Sequence, residues 1–253
     1  MKQALLFSLV TLTLTLTAPL SDAQPVGPMG GPPRGPKFSG AMNKLFGDNS
    51  AFSAKIEMNI QEAGRDEKMT IPGTLAFHDG KSRFEMDVAE TKGARIPPQA
   101  AAQMKAMGFG EIAVIALPDK KLSYMIYTGM ESYVESALSD DEAAGPEARF
   151  KMDSTELGKE TVDGHPCTKN KATITSDKGV KHESTVWNAS DLKNFPIKIQ
   201  YIEDGKNAIL SFTEVKFDKP DAAKFVVPAK FTKYGSMGEL MRGVMMKQFR
   251  GGK

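Results

Sequence analysis

Apolar and polar residues alternate along most of this chain from Phe52 onward. Phe52, Ala54, Ile56, Met58 and Ile60 share one parity and Ser53, Lys55, Glu57 and Asn59 the other, which predicts a strand over Phe52–Ile60 with one buried face. Ser82–Val88 repeats the pattern, with Phe84, Met86 and Val88 against Arg83, Glu85 and Asp87, after an Asp79-Gly80 turn. Glu67–His78 reads as the strand between them. Its Pro72-Gly73 points to a bulge or an edge position, because proline cannot donate to a ladder. Short strands follow over Glu111–Leu117, Lys121–Tyr127 and Ser132–Val134. A second series fills Leu157–Pro228: Thr161–Thr175 around a turn, His182–Trp187, Pro196–Tyr201 and Ala208–Phe217, separated by Asp-, Asn- and Gly-containing turns. Period two with such turns predicts antiparallel strands joined by hairpins.

Helical spacing appears in three places. Phe38–Phe46 forms a short helix or a dock for the first strand. Between Ile96 and Phe109 the alternation stops: Pro97-Pro98 suits a helix start, Gln99–Met107 is Ala-rich with Met104 and Met107, and Gly108 ends it. Ser236–Phe249 begins with an N-cap serine and Glu239 at the capping-box position, and Met237, Leu240, Met241, Val244 and Met245 make one apolar stripe. The pattern as a whole predicts a mainly β (α+β) fold with one or two helices laid on an antiparallel sheet.

The ends of the chain read differently. Lys2, the apolar Ala4–Leu20 and the small residues of Ser21-Asp22-Ala23 predict a signal peptide over 1–23, cleaved after Ala23. Residues 24–37 are a Pro/Gly-rich disordered linker, 38–235 the folded domain, and 236–253 the C-terminal helix and tail. No cysteine follows the apolar run, so lipidation there is not expected, and the protein is expected in the periplasm or secreted. Ser139–Pro146 is an acidic, solvated connection.

Composition narrows the function classes. With 33 basic and 31 acidic residues the formal charge is +2, which gives no field to hold nucleic acid. One cysteine allows no intrachain disulfide, and Cys167 with three histidines cannot build a Cys-rich zinc site. His165-Pro166-Cys167 sets a histidine beside a thiol, but a proline separates them and no third group is evident to orient the base, so a buried structural cysteine is the preferred reading. Glu156, Glu160 and Asp163 flank a turn and read as solvated carboxylates. The 15 methionines invite a Cu(I) site, since thioethers favour soft ions, but the Met237–Met245 stripe also contains Leu240 and Val244 and reads as a packed face. There is no Gly-rich phosphate loop, serine elbow or His-rich motif, so no cofactor, no metal and no catalytic residue is assigned.

Four local patterns carry a family resemblance. They are TLAFHDGKSRFEMD at 74–87, DKKLSYMIYTGMESYVE at 119–135, GKETVDGHPCTK at 158–169 with its G-x-E-x-V-x-G-x-P-C turn, and DKPDAAKFVVP at 218–228 with a D-x-x-x-F-x-x-P closing turn. Together they resemble the superfamily of the lipoprotein-localisation factors LolA, LolB and LppX, and within it a domain-of-unknown-function branch. The resemblance implies an incomplete antiparallel barrel (a half-barrel) of about eleven strands around lid helices, a concave apolar face that receives acyl chains, and a lid-contact arginine, for which Arg83 is the counterpart. On alternation, Met58, Phe84, Met86, Met104, Met125, Trp187 and Phe212 are the candidate ligand-lining residues. The expected partner is a hydrophobic ligand such as a lipid or acyl chain, with envelope proteins as further candidates. The alternative is a non-catalytic envelope scaffold whose barrel is filled by its own side chains.

Overall fold

A computed structural model describes residues 40–62, 64, 67–93, 97–140, 142–143, 150–203 and 205–251. The expected signal peptide and linker, Ile96 and half of the acidic connection lie outside these residues. Among the described residues, twelve strands form one sheet: β1 (Ala51–Glu62), β2 (Lys68–His78), β3 (Lys81–Asp87), β4 (Glu111–Leu117), β5 (Leu122–Tyr127), β6 (Ser132–Ala137), β7 (Lys151–Val162), β8 (His165–Thr175), β9 (Lys181–Ala189), β10 (Phe195–Glu203), β11 (Lys206–Lys216) and β12 (Thr232–Tyr234). Their order is β12-β6-β5-β4-β3-β2-β1-β11-β10-β9-β8-β7, and the sheet does not close on itself. Every neighbour is antiparallel except β12, which runs parallel to β6. The half-barrel class expected from the sequence is the one observed.

Twelve strands stand against the expected count of about eleven, and two of them were not legible from alternation. β7 is an edge strand on which the sequence pattern left only the turn end, and β12 is a three-residue strand laid beside β6. In β7 every residue is exposed except the half-buried Gly158 and Val162, so it offers no apolar parity to read. A register shift between Glu156 and Gly158 interrupts its ladder with β8, a bulge of the kind that blunts a free edge. Pro72 needs correction too. β2 is interior, paired to β1 straight through Glu57↔Pro72 and Ile56↔Gly73 with no bulge there. It pairs with β3 only from Thr74 onward, so Pro72 lies beyond the end of that ladder and its missing N–H costs no rung on that side. Gly73 is required by space: a Cβ there would sit 2.4 Å from the Glu85 carbonyl oxygen and 2.6 Å from the Phe84 ring.

Burial follows the register. Phe52, Ala54, Ile56 and Met58 of β1 share a face with Ile71, Leu75 and Phe77 of β2, Phe84 and Met86 of β3, and Leu210 and Phe212 of β11. These side chains join one core cluster with the helices α1 (Gly40–Lys44) and α3 (Met237–Gly251), and Met104 of α2 (Pro98–Ala106) packs against it. On the other face of β2 to β5, Ala76, Ala113, Ile115, Leu117 and Ile126 form a second cluster closed by Phe225 of the single 3-10 turn Ala222–Phe225. Phe225 is the phenylalanine of the D-x-x-x-F-x-x-P pattern, and that turn is thus a plug for the second face. The helices lie on the first face, and the second cluster covers the other face only over β2 to β5.

Candidate ligand site

The helix-bearing face has two chemically distinct regions. Around β1, β2, β10 and β11 it is filled by phenylalanine. Phe46, following α1, stands 4.9 Å from Phe52 and 5.1 Å from Phe77 between ring centroids, and Phe52 meets Phe195 edge-on at 4.8 Å. Phe195 meets Phe212 at 5.6 Å, also edge-on. Offset and edge-to-face contacts at these separations are the favourable arrangements for aromatic pairs, and they leave the region solid.

Towards β3 to β6 the chemistry changes to methionine. Met86 lies opposite Ile112, and Phe84 opposite Val114, which faces Met125, which faces Val134. Met58 lies on the same face of β1, opposite Ile71. Tyr127 is fully buried there, its hydroxyl donating to Met125 Sδ at 2.9 Å and lying 3.7 Å from Met237 Sδ on α3. Phe109, just after α2, packs edge-on against Tyr127 at 5.3 Å. Thioether chains have few rotamer constraints and fill irregular space, so this region adapts where the phenylalanine block does not.

The two helices over this region are lightly held. Pro98 opens α2, and Gly108, at φ +87°, lets the chain turn away after Met107. Among the described side chains of α2 none is buried; Met104 is half-buried against the core, and Lys105 Nζ reaches Asp87 at 3.3 Å. α3 starts with the expected cap: the Glu239 amide donates to Ser236 Oγ at 3.2 Å, and the Glu239 carboxylate accepts from the Gly235 amide at 2.9 Å. Of its described side chains only Leu240 is buried, with Met237 half-buried beside Tyr127. Gly243 lies close to Tyr234, where a Cβ would meet its hydroxyl oxygen at 2.8 Å.

Five of the seven candidate lining residues therefore belong to one region: Met58, Phe84, Met86 and Met125 on the sheet and Met104 on α2. Phe212 belongs to the phenylalanine block. Trp187 is three strands away from β1, beside Lys169 and Lys198. Its ring is 4% exposed beneath the two ammonium groups, at 4.9 Å and 4.5 Å from the ring centroid, and its Nε1–H donates to Glu160. That hydrogen bond, aided by the charge on Lys169, holds the Glu160 carboxyl below its ordinary pKa. Val114, Tyr127 and Leu240 share that region and were not among the candidates. Tyr127 shares parity with Met125, and Leu240 stands at the centre of the predicted stripe.

Arg83 lies on the opposite face. Its Nε donates to Glu85 at 2.6 Å and its Nη1 to the Lys224 carbonyl at 3.1 Å, which ties down the turn carrying Phe225. That face also bears a groove of about 970 Å³ along β1 to β4. Glu57, Glu85, Asp87, Glu90, Glu111 and Asp163 line it against Lys55 and Arg83. Lys55 pairs with Glu214 at 2.6 Å, and Arg83 with Glu85. Ile56, Pro72, Met86, Ile112 and Ala113 also line it, so its surface is mixed, and the six carboxylates make it unfavourable for polyanions. His165, Pro166 and Cys167 begin β8 rather than forming a turn, and His165 Nδ1 lies 2.8 Å from the Asp191 carboxylate, a partner the sequence did not reveal. The Cys167 thiol points to the His165 carbonyl at 3.4 Å, and burial pushes its pKa up, away from a reactive thiolate.

No protein-family model and no curated protein matches the sequence. Solved structures it is similar to include LolA superfamily, LppX and LprF proteins. A LolA superfamily protein from Nitrosomonas europaea aligns over 75% of this chain and 96% of its own at 10% identity, with a TM-score of 0.38. LprF from Mycobacterium bovis aligns over 74% and 96% at 12% identity, TM-score 0.38. The lipoprotein LppX of Mycobacterium tuberculosis aligns over 68% and 92% at 10% identity, TM-score 0.40. Likeness at this level leaves function to be read from the chain's own residues.

Proposed function

We propose that this is an exported, non-catalytic protein of the periplasm that binds a hydrophobic ligand, a lipid or an acyl chain, between its sheet and the helices α2 and α3. Met58, Phe84, Met86, Met104 and Met125 line the site in this reading, with Val114 and Tyr127, and the phenylalanine block forms its closed end. The observation that supports it is the contrast in seating. The sheet beneath α2 and α3 is apolar and methionine-rich, while the only buried described side chain of either helix is Leu240. Lifting α3 exposes Leu240 and part of Met237, at about 3 kcal/mol. An acyl chain recovers ~0.8 kcal/mol for each buried CH₂, so about four methylenes offset the opening, and the further methylenes of a long chain offset the cost of association. Among the described residues no helix is long and apolar enough to cross a membrane, and the reading needs no cofactor or metal.

The phenylalanine block favours the second reading, an envelope scaffold with a filled interior. One experiment separates the two. Organic extraction and native mass spectrometry of protein purified from an envelope fraction are expected to yield near-stoichiometric lipid. Protein alone, together with no uptake of a fluorescent fatty acid, supports the scaffold.

A further inference from the structure

Beyond the ligand site, α3 presents a second surface. Its apolar side chains extend beyond the contact it makes: Leu240 and Met237 face the body, whereas Met241 and Met245 at the edge of the stripe and Met246 outside it are 38%, 56% and 64% exposed. Charge is segregated on the same segment. From Leu240 to Lys253 the sequence holds Arg242, Lys247, Arg250 and Lys253 and no acid, while the remainder of the chain is net acidic. The helix's one acid, Glu239, is held at its N-terminus by the Gly235 amide. Exposed apolar side chains on a basic helix are the chemistry of a segment lying in a membrane interface, where methionines enter the acyl boundary and guanidinium and ammonium groups meet anionic headgroups.

We infer that α3 docks the protein on an anionic lipid bilayer through Met241, Met245 and Met246, with Arg242 and the basic residues that follow providing the electrostatic attraction. A second copy of the chain fits the surface poorly. The three methionines expose roughly 300 Å², well short of the about 800 Å² per partner of a stable dimer, and two such helices repel each other. The same charges disfavour a metal cation on the thioethers.

The test uses the exported chain freed of the expected signal peptide, and flotation with vesicles of phosphatidylglycerol mixed with phosphatidylcholine, against vesicles of phosphatidylcholine alone. Binding is expected on the anionic vesicles, weakening as salt is raised, and at least tenfold weaker on the neutral ones. Arg242→Glu is expected to weaken binding by about fivefold or more. The triple variant Met241→Gln, Met245→Gln, Met246→Gln is expected to remove it while leaving the circular dichroism spectrum and melting temperature unchanged. Equal affinity for both vesicle types, or variants that float like the parent, would overturn the inference. So would a concentration-dependent dimer, seen by light scattering, that the triple variant abolishes in the absence of vesicles. None of these three methionines lines the proposed ligand site, so lipid co-purifying with the triple variant reports on that site alone.

Discussion

Truncating Leu240 to alanine tests whether α3 is a hinged cover or part of the core. Leu240 is fully buried, and with Met237 it accounts for about 3 kcal/mol of docking for α3, which puts the undocked population at about 1%. Alanine lacks three of the leucine carbons, and at ~0.8 kcal/mol each the change removes about 2.4 kcal/mol. The undocked fraction then rises to about a quarter. Hydrogen exchange with mass spectrometry reads this directly: peptides covering α3 and Tyr127 should lose protection by a factor of about 50, while β1 and β11 stay protected. Uptake of a fluorescent fatty acid should become faster. Equal loss of protection in β1, β11 and α3 would refute the reasoning, because it would make Leu240 a member of one cooperative core.

Other expectations concern the rest of the sheet. Phe46→Ala removes the ring that touches Phe52, Phe77, Phe195 and Phe212, and should cost about 3–5 kcal/mol in urea denaturation; a loss under 1 kcal/mol would mean the block is not solid. Gly73→Ala forces β2 and β3 apart at the Glu85 carbonyl and should lower stability by about 1–3 kcal/mol, read as a lower melting temperature. The Glu160 carboxyl has its folded pKa depressed by the Trp187 hydrogen bond, so its stabilising contribution is present above the ordinary carboxylate range and lost as pH falls through the lower folded value. Emission from Trp187, the chain's single tryptophan, should therefore shift in acid below the usual glutamate range, and an unchanged inflection in Glu160→Gln would disprove the assignment.

The strands that bury one face were legible because burial writes a parity into the sequence, as in Phe52–Ile60. β7 was not, since an edge strand exposed on both faces carries no such contrast in KMDSTELGKETV. Pro72 was misjudged because its tolerance depends on where β3 ends, a property of a different segment. Trp187 shows a further limit. Alternation gives the parity of a side chain within its strand but not the strand's place in the sheet, and β9 stands three strands from β1, away from β3 to β6. The second apolar cluster was hidden in β4, where EIAVIAL is buried from both sides and reads as a continuous apolar run.

β1 sits mid-sheet although it precedes all other strands, because its neighbours are β2 and the late strand β11. β2 to β6 and β7 to β11 can each assemble from successive neighbours, but the seam between the halves joins Glu62 to Lys206 and waits on a loop closure spanning most of the domain. That step is the slow one in folding, and until it happens both β1 and β11 show an open edge. Two ion pairs bracket the seam, Lys55 with Glu214 and Lys206 with Glu62. A slip of one residue there would turn Ile56 and Met58 outward and bring Lys55 into the core, so both the timing and the fidelity of assembly rest on this single junction.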